Sequence, residues 1–350
     1  MPTARKSIYS LPEYRSPIVG RTRLNLDLNE NTGGCSPRVL SKLQSLTALE
    51  MASYPQRETG EALVAQFLKL EAESLLLTNG IDEALQLLFS TYLNGEDELL
   101  ITDPTFSMYS LYGRALGGRV QSVPYETEFE FPTAQMLRAV NKRTRLIVIA
   151  NPNNPTGTVA SQDDLRRIVS FATDAAVVID EAYFEFHGQS MLPALSEFPN
   201  LFVTRTFSKA YGLAGLRLGL VAGSAREISL LRRLTSPFNI NSVALHCLRE
   251  ALQDQEFVDN YVHEVKEGRE QLYRLCQELD IEYWRGNANF VLVRIGAEVS
   301  DFVARMRTRG IAVSDRSGDR GCYGCVRVTI ATREQMPLFL KTFRESVLVR

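Results

Sequence analysis

Lys209 stands in RTFSKAYGLAGLRLG, Arg205 to Gly219, with Thr206 three places before it and Ser208 immediately before it. Arg217 follows after a glycine-spaced, mostly apolar run. A lysine set among hydroxyls and glycines has three readings: part of a phosphate-binding loop, an exposed residue in a turn, or an amine that bonds covalently to a carbonyl. The first lacks its pattern, because no G-x-x-x-x-G-K-[ST] occurs and Lys209 does not follow a glycine. Two further stretches bear on the other readings. VVIDEAYF places Asp180 at the end of an apolar run, where a carboxylate is either exposed just past a strand or paired, since a bare buried charge is costly. NPNNPTG places Asn154 just after RLIVIA, in a stretch whose Asn-Pro and glycine content also suits a plain turn.

These residues need elements to position them. Between Glu71 and Gly223 short apolar runs alternate with helix-like stretches. The runs are SLLLT, ELLITD, RVQSVPY, RLIVIANP, AVVIDEAY, LFVTRTF and LRLGLVAG. Several are continuously apolar, as strands buried on both faces of a parallel sheet are. Helical candidates such as IDEALQLLFSTYL and SQDDLRRIVSFATD lie between them, the second with Ser161 as N-cap and Asp164 three residues on. Such alternation predicts an α/β domain with ligands at the carboxyl ends of its strands. From about Leu245 the pattern changes to one long helical region through LCQEL, then EYWRGNANFVLVRI, VSDFVARMRTRG, IAVSDR and CVRVTI, a smaller α+β unit. The expected division is an N-terminal segment 1–35 packing on the small unit or a partner subunit, a large domain 36–245, and a small domain 246–350.

Composition narrows the class. The 350 residues are 45% hydrophobic and 23% charged, with Lys+Arg 39 against Asp+Glu 41. That balance offers no broad electrostatic reason to bind nucleic acid or an anionic membrane. No apolar run approaches the ~20 residues of a spanning helix, and the start does not read as a signal peptide. Five scattered cysteines fit reduced thiols in a reducing compartment, so a cytoplasmic protein is expected. Cys322 and Cys325 form a C-x-x-C, but it leads into a strand and no histidine clusters near it, so neither a redox nor a metal role is expected.

Strand ends on one parallel sheet open on one rim. An amide, a carboxylate, a phenol and an amine (Asn154, Asp180, Tyr183 and Lys209) would then converge at one crevice. Pyridoxal 5′-phosphate asks for this set: an amine for its aldehyde, a carboxylate to keep its ring nitrogen protonated, donors for its ring oxygen, and cationic and backbone donors for its phosphate. Taken in order, NPNNPTG, DEAY and TFSKAYGLAGLRLG resemble the fold type I aminotransferases, most closely the histidinol-phosphate aminotransferase family. LNLDLNEN, SYPQRETGEAL, TNGIDEALQLL, DPTFSMY and CVRVTIATREQ match the same family, so the resemblance covers essentially the whole chain.

That resemblance implies a large domain built on a mostly parallel seven-stranded sheet, plus a smaller α+β domain. It implies that Lys209 is the Schiff-base lysine and proton carrier, that Asp180 pairs with the ring nitrogen, and that Asn154 and Tyr183 contact the ring oxygen. Tyr109 would lie flat against the ring. The phosphate would be held by backbone around Gly80, Ile81 and Asp82 at a helix start, with Ser208, Thr206 and Arg217 completing the cup. Tyr54 would reach it from the partner of a homodimer with shared active sites. Arg327 in CVRVTI, which on pattern alone also reads as a solvent-facing edge arginine, would bind the substrate's anionic end, and Tyr14 would help enclose it. Where many relatives carry arginine this chain has Ser314, with Arg316 two residues on and able to return to the same face. The implied activity is transfer of an amino group between histidinol phosphate and 2-oxoglutarate. An aromatic amino acid transaminase, a decarboxylase of a phosphorylated amino acid, and a cofactor-binding regulator without turnover are the alternatives.

Overall fold

A computed structural model describes residues 2–9, 11–13 and 20–348. All seven apolar runs form strands: β1 (Leu75–Thr78), β2 (Glu98–Asp103), β3 (Arg119–Pro124), β4 (Thr144–Ala150), β5 (Ala176–Asp180), β6 (Leu201–Thr206) and β7 (Gly219–Ala222). They make one sheet in the order β1-β7-β6-β5-β4-β2-β3, in which β7 alone runs antiparallel to its neighbours. Both faces are covered, which is why the central strands are continuously apolar. Ile147, Ile149, Val177, Ile179 and Val203 face one core, while Leu146, Val148, Val178 and Phe202 face the other.

The expectation that every strand end meets one rim needs a correction at β7. Its register places Gly219 opposite Thr206 of β6, so it is the start of β7 that reaches the rim. Arg217 is delivered there because it precedes an antiparallel strand, whereas Lys209 is delivered because it follows a parallel one. Opposite connections place both residues at the same edge.

Helices α1 (Pro37–Gln44), α2 (Arg57–Leu68), α3 (Gly80–Tyr92), α4 (Ser107–Ala115) and α5 (Gln162–Phe171) flank the sheet. The Ser161 hydroxyl accepts from Asp164 N–H at 3.1 Å, capping α5 as the spacing predicts. The long helical region is two helices rather than one, α6 (Ser242–Gln253) and α7 (Gln255–Glu278). Asp254 breaks it by leaving helical geometry, with φ −104° and ψ 58°, and its carboxylate accepts from the Ser36 hydroxyl at the start of α1. A side-chain partner from a distant segment outweighs local helical periodicity here. α6 accordingly packs on α1 and α2 of the sheet domain.

The C-terminal part holds a four-stranded antiparallel sheet of β8 (Tyr283–Trp284), β9 (Phe290–Arg294), β10 (Ser314–Asp315) and β11 (Cys325–Thr329), ordered β10-β11-β9-β8. It carries α8 (Val299–Thr308) and α9 (Met336–Leu348) as well as α7. The segment before Asn31 is tied to this unit: Leu24–Asn25 pairs with Ile311–Ala312, and Thr329 N–H donates to Leu26 C=O at 2.9 Å. No helix among the described residues is long and apolar enough to cross a membrane.

Candidate active site

A cleft of about 410 Å³ opens where the rim of the large sheet faces the small sheet. Ile81, Asp82, Tyr109, Asn154, Asp180, Tyr183, Thr206, Ser208, Lys209, Arg217, Arg316 and Arg327 all line it. Asn154, Asp180, Tyr183 and Lys209 from the large sheet thus line one cleft, and Arg316 and Arg327 reach it from the small sheet. Tyr54 does not join them. It is 78% exposed and stacks on Phe238, ring centroids 4.2 Å apart. Tyr14 lies outside the described residues.

Lys209 follows β6, and its Nζ donates to Leu28 C=O at 3.1 Å. Burial pushes the amine down to about 8, with Arg327 and then Arg217 adding to the effect against Glu30 and Asp82. The nearby cation that matters more is therefore Arg327, from the small sheet, rather than the sequence neighbour Arg217. A neutral lysine near pH 8 is a nucleophile and a proton acceptor. The apoprotein's covalent capture of an aromatic aldehyde, read as borohydride-stable label on Lys209, should climb from about pH 6 and level off just above 8. A rise continuing past about pH 10 would show an ordinary solvated lysine instead.

Asp180 ends β5 and is buried. Its Oδ2 accepts from the Tyr109 hydroxyl at 2.6 Å, and its Oδ1 from Ala182 N–H at 3.1 Å. Burial raises its carboxyl above the usual range, opposed first by the Tyr109 hydrogen bond. No Lys, Arg or His among the described residues forms an ion pair with it. A buried carboxylate that faces a cleft without a counter-ion suits a protonated ring nitrogen. Tyr109 itself is fully buried, anchored through its hydroxyl as well as its ring. Tyr183, whose phenol burial pushes up, accepts from Asn29 Nδ2 at 2.9 Å.

The anion-binding end is built around α3. Arg217 adopts φ 53° and its Nη2 reaches Asp82 at 3.0 Å. Gly80, at φ +75°, leaves room for this, since a Cβ there would come within 2.5 Å of Arg217 Nη2. Ser208 N–H donates to the Thr206 hydroxyl at 3.1 Å, holding the turn between β6 and Lys209. The N–H groups of the first turn of α3, a guanidinium and two hydroxyls together supply the donor types that an anion takes at a helix start.

Arg327 enters from β11, an inner strand, and is buried rather than on a solvent-facing edge. Its Nη1 donates to Asn154 Oδ1 at 2.6 Å and its Nη2 to Asp27 C=O. Burial lowers the guanidinium to about 10. Ser314 pairs directly with Arg327 in register, and Arg316 continues the ladder by donating its N–H to Cys325 C=O at 2.9 Å. Nε of Arg316 and Nε of Arg327 are both buried and have no hydrogen-bond partner among the described residues. Buried donors are normally satisfied, so two in one cleft ask for an acceptor from a ligand.

Motif reading passed over Asn29, which lies inside the quoted LNLDLNEN without a role. It is buried at φ 57°, its N–H donates to the Thr329 hydroxyl at 3.0 Å, and that hydroxyl donates back to Asn29 Oδ1 at 3.1 Å. A run of polar residues in which one asparagine must be buried was the available signal, and only the tertiary pairing picks out which. Cys322 and Cys325 are buried free thiols beside Phe129, Trp284 and Leu292.

The model of the family described as aminotransferase class I and II matches residues 21–343. The chain is 35% identical over 332 residues to histidinol-phosphate aminotransferase 1 of Bacillus cereus, covering 93% of this chain and 89% of that one. It is 34% identical over 329 residues to histidinol-phosphate aminotransferase 2 of Legionella pneumophila, with 92% and 89% covered. Among solved structures, histidinol-phosphate aminotransferase from Sinorhizobium meliloti in complex with pyridoxal-5′-phosphate superposes with a TM-score of 0.88 at 24% identity, covering 98% and 97% of the two chains.

Proposed function

This chain belongs to the class I and II aminotransferase family, and from that premise we propose that it is a pyridoxal-phosphate enzyme moving an amino group between histidinol phosphate and 2-oxoglutarate in histidine biosynthesis. The observation that carries the substrate assignment is the second cationic end of the cleft. Arg217 enters from the large sheet, while Arg327 and Arg316 enter from the small one with donors to spare. One end accounts for the cofactor's phosphate, and the other leaves two guanidinium groups for a substrate phosphate.

When bound, pyridoxal phosphate supplies an aldehyde that takes up the amino group and a protonated ring that draws electrons from the α-carbon. Lys209, whose amine burial brings down to about 8, would be the residue to hold that aldehyde covalently and, as a free amine, to accept and return the proton at the α-carbon. Asp180, held by Tyr109 and the Ala182 amide, would keep the ring nitrogen protonated. Arg217, Ser208, Thr206 and the first N–H groups of α3 would hold its phosphate, and Tyr183 and Asn154 would donate to its ring oxygen. Both are oriented by their own partners, Asn29 and Arg327. Holoenzyme mixed with histidinol phosphate alone should change colour once and recover on addition of 2-oxoglutarate. The kcat/KM for histidinol phosphate should also exceed that for phenylalanine and for phosphothreonine. Release of carbon dioxide, or binding without exchange, would defeat the assignment.

The active unit in this reading is a homodimer. Leu49, Met51, Tyr54, Leu234 and Phe238 form a surface in which each side chain is at least half exposed. A second copy covering it would bury the Tyr54–Phe238 stack and bring Tyr54 to the partner's phosphate cradle. Phe238→Glu is expected to shift sedimentation toward monomer and to depress activity in parallel; a fully active monomer would reject the shared site. Domain limits at 35/36 and 245/246 belong to the same reading, the second falling within α6 (which packs on the sheet domain), as does a cytoplasmic setting, which the five free cysteines support.

A further inference from the structure

The turn from β10 to β11 holds an internal counter-ion. Arg316 and Asp319 are ion-paired, with side chains 22% and 28% exposed. Asp319 N–H donates to Arg316 C=O at 2.9 Å, and Ser317 N–H to Asp315 Oδ1 at 2.8 Å, so the backbone of the turn is fixed independently of the pair. Among the described residues Arg316 is the sole ion-pair partner of Asp319, and the buried Nε of Arg316 donates to nothing. Arg327, the neighbouring cation, forms no ion pair among those residues. The far end of the cleft therefore has two charge states. With Asp319 on Arg316, Arg327 is the one guanidinium there without an ion-pair partner among the described residues, Asp27 and Asp315 lining the cleft beside it in either state. With the Asp319 side chain turned out toward solvent, the Arg316 guanidinium is freed as well, adding one positive charge.

An enzyme that binds a phosphate monoester in one half-reaction and a dicarboxylate in the other must hold a dianion and a monoanion at the same place in turn. We propose that Asp319 is the displaceable counter-ion that matches the site to both. The inference rests on the substrate reading given above. A carboxylate binds on Arg327 while Asp319 neutralises Arg316. A phosphate dianion displaces Asp319 and takes both guanidiniums, because bidentate charge-assisted bonds to phosphate outcompete a partly exposed carboxylate. Asp319 thereby holds down affinity for phosphate-bearing ligands and lets them leave.

The test uses holoenzyme at about pH 8, where inorganic phosphate is a dianion, with histidinol phosphate, 2-oxoglutarate and inorganic phosphate as probes. Asp319→Asn keeps the shape and removes the charge. The inhibition constant of inorganic phosphate and the KM of histidinol phosphate should both fall about tenfold, whereas the dicarboxylate substrate should show only about a threefold fall in KM, since the interaction energy scales with ligand charge. Arg316→Gln should raise the KM of histidinol phosphate about tenfold or more and leave that of the dicarboxylate nearly as it was, the effect lying in KM rather than kcat. Equal changes for phosphate and the dicarboxylate in Asp319→Asn, or none, would overturn the counter-ion role while leaving the substrate assignment standing. Wild-type enzyme that binds neither histidinol phosphate nor inorganic phosphate would remove the substrate assignment and this inference with it.

Discussion

Lys209→Ala is expected to lower kcat by about four orders of magnitude or more while leaving the fold intact. The size follows from the two tasks assigned to one amine, covalent attachment and proton carriage, the second alone being worth about 10²–10⁴-fold. No histidine is placed to take over, since His187, His246 and His263 do not line the cleft. The fold should survive because the Nζ makes one hydrogen bond, to Leu28 C=O. A second readout follows from the depressed lysine pKa. Burial takes it from 10.5 to about 8, so between those values the unfolded chain binds more protons than the folded one. Stability of the apoprotein should therefore rise with pH across that window. Lys209→Ala removes the group, and the difference in thermal midpoint between variant and parent should be largest in favour of the variant below about pH 8. Turnover near the parent rate would exclude the assigned role.

Arg327→Ala is expected to lower kcat/KM for histidinol phosphate by about 10²–10³-fold, the range of losing one partner of a buried, hydrogen-bonded charge pair. Most of the loss should appear in KM. Asn154 also loses the guanidinium that fixes its amide, so a smaller fall in kcat should accompany it. Arg327→Lys should recover only part of the loss, because an ammonium cannot reproduce the two-pronged contact. The lysine should respond as well: Arg327 is the leading cation that lowers the Lys209 pKa, so the pH midpoint for aldehyde capture should move upward in Arg327→Ala. An unchanged substrate preference would place the anion site elsewhere.

The site was legible wherever chemistry is concentrated in contiguous sequence. Lys209 and Arg217 lie in one block, and Asp180 with Tyr183 in another, each attached to a strand whose apolar run is self-evident. Asn29 and the Asp254 break were not legible, because each depends on a partner that only folding supplies: Thr329 and Tyr183 for the first, Ser36 for the second. Hydrogen bonds between residues far apart in the chain leave no local periodicity to read.

What the sequence determined by itself was the large sheet, since seven apolar runs with helical spacers admit few other burials, and the order in which its strands present a lysine, an aspartate and an amide. Tertiary structure decided the direction of β7, which brings Arg217 to the rim from the opposite connection, and the approach of the small sheet, which sets Arg327 beside Lys209. Strand direction and inter-domain approach depend on long-range packing and Coulomb energy, which no window of residues contains.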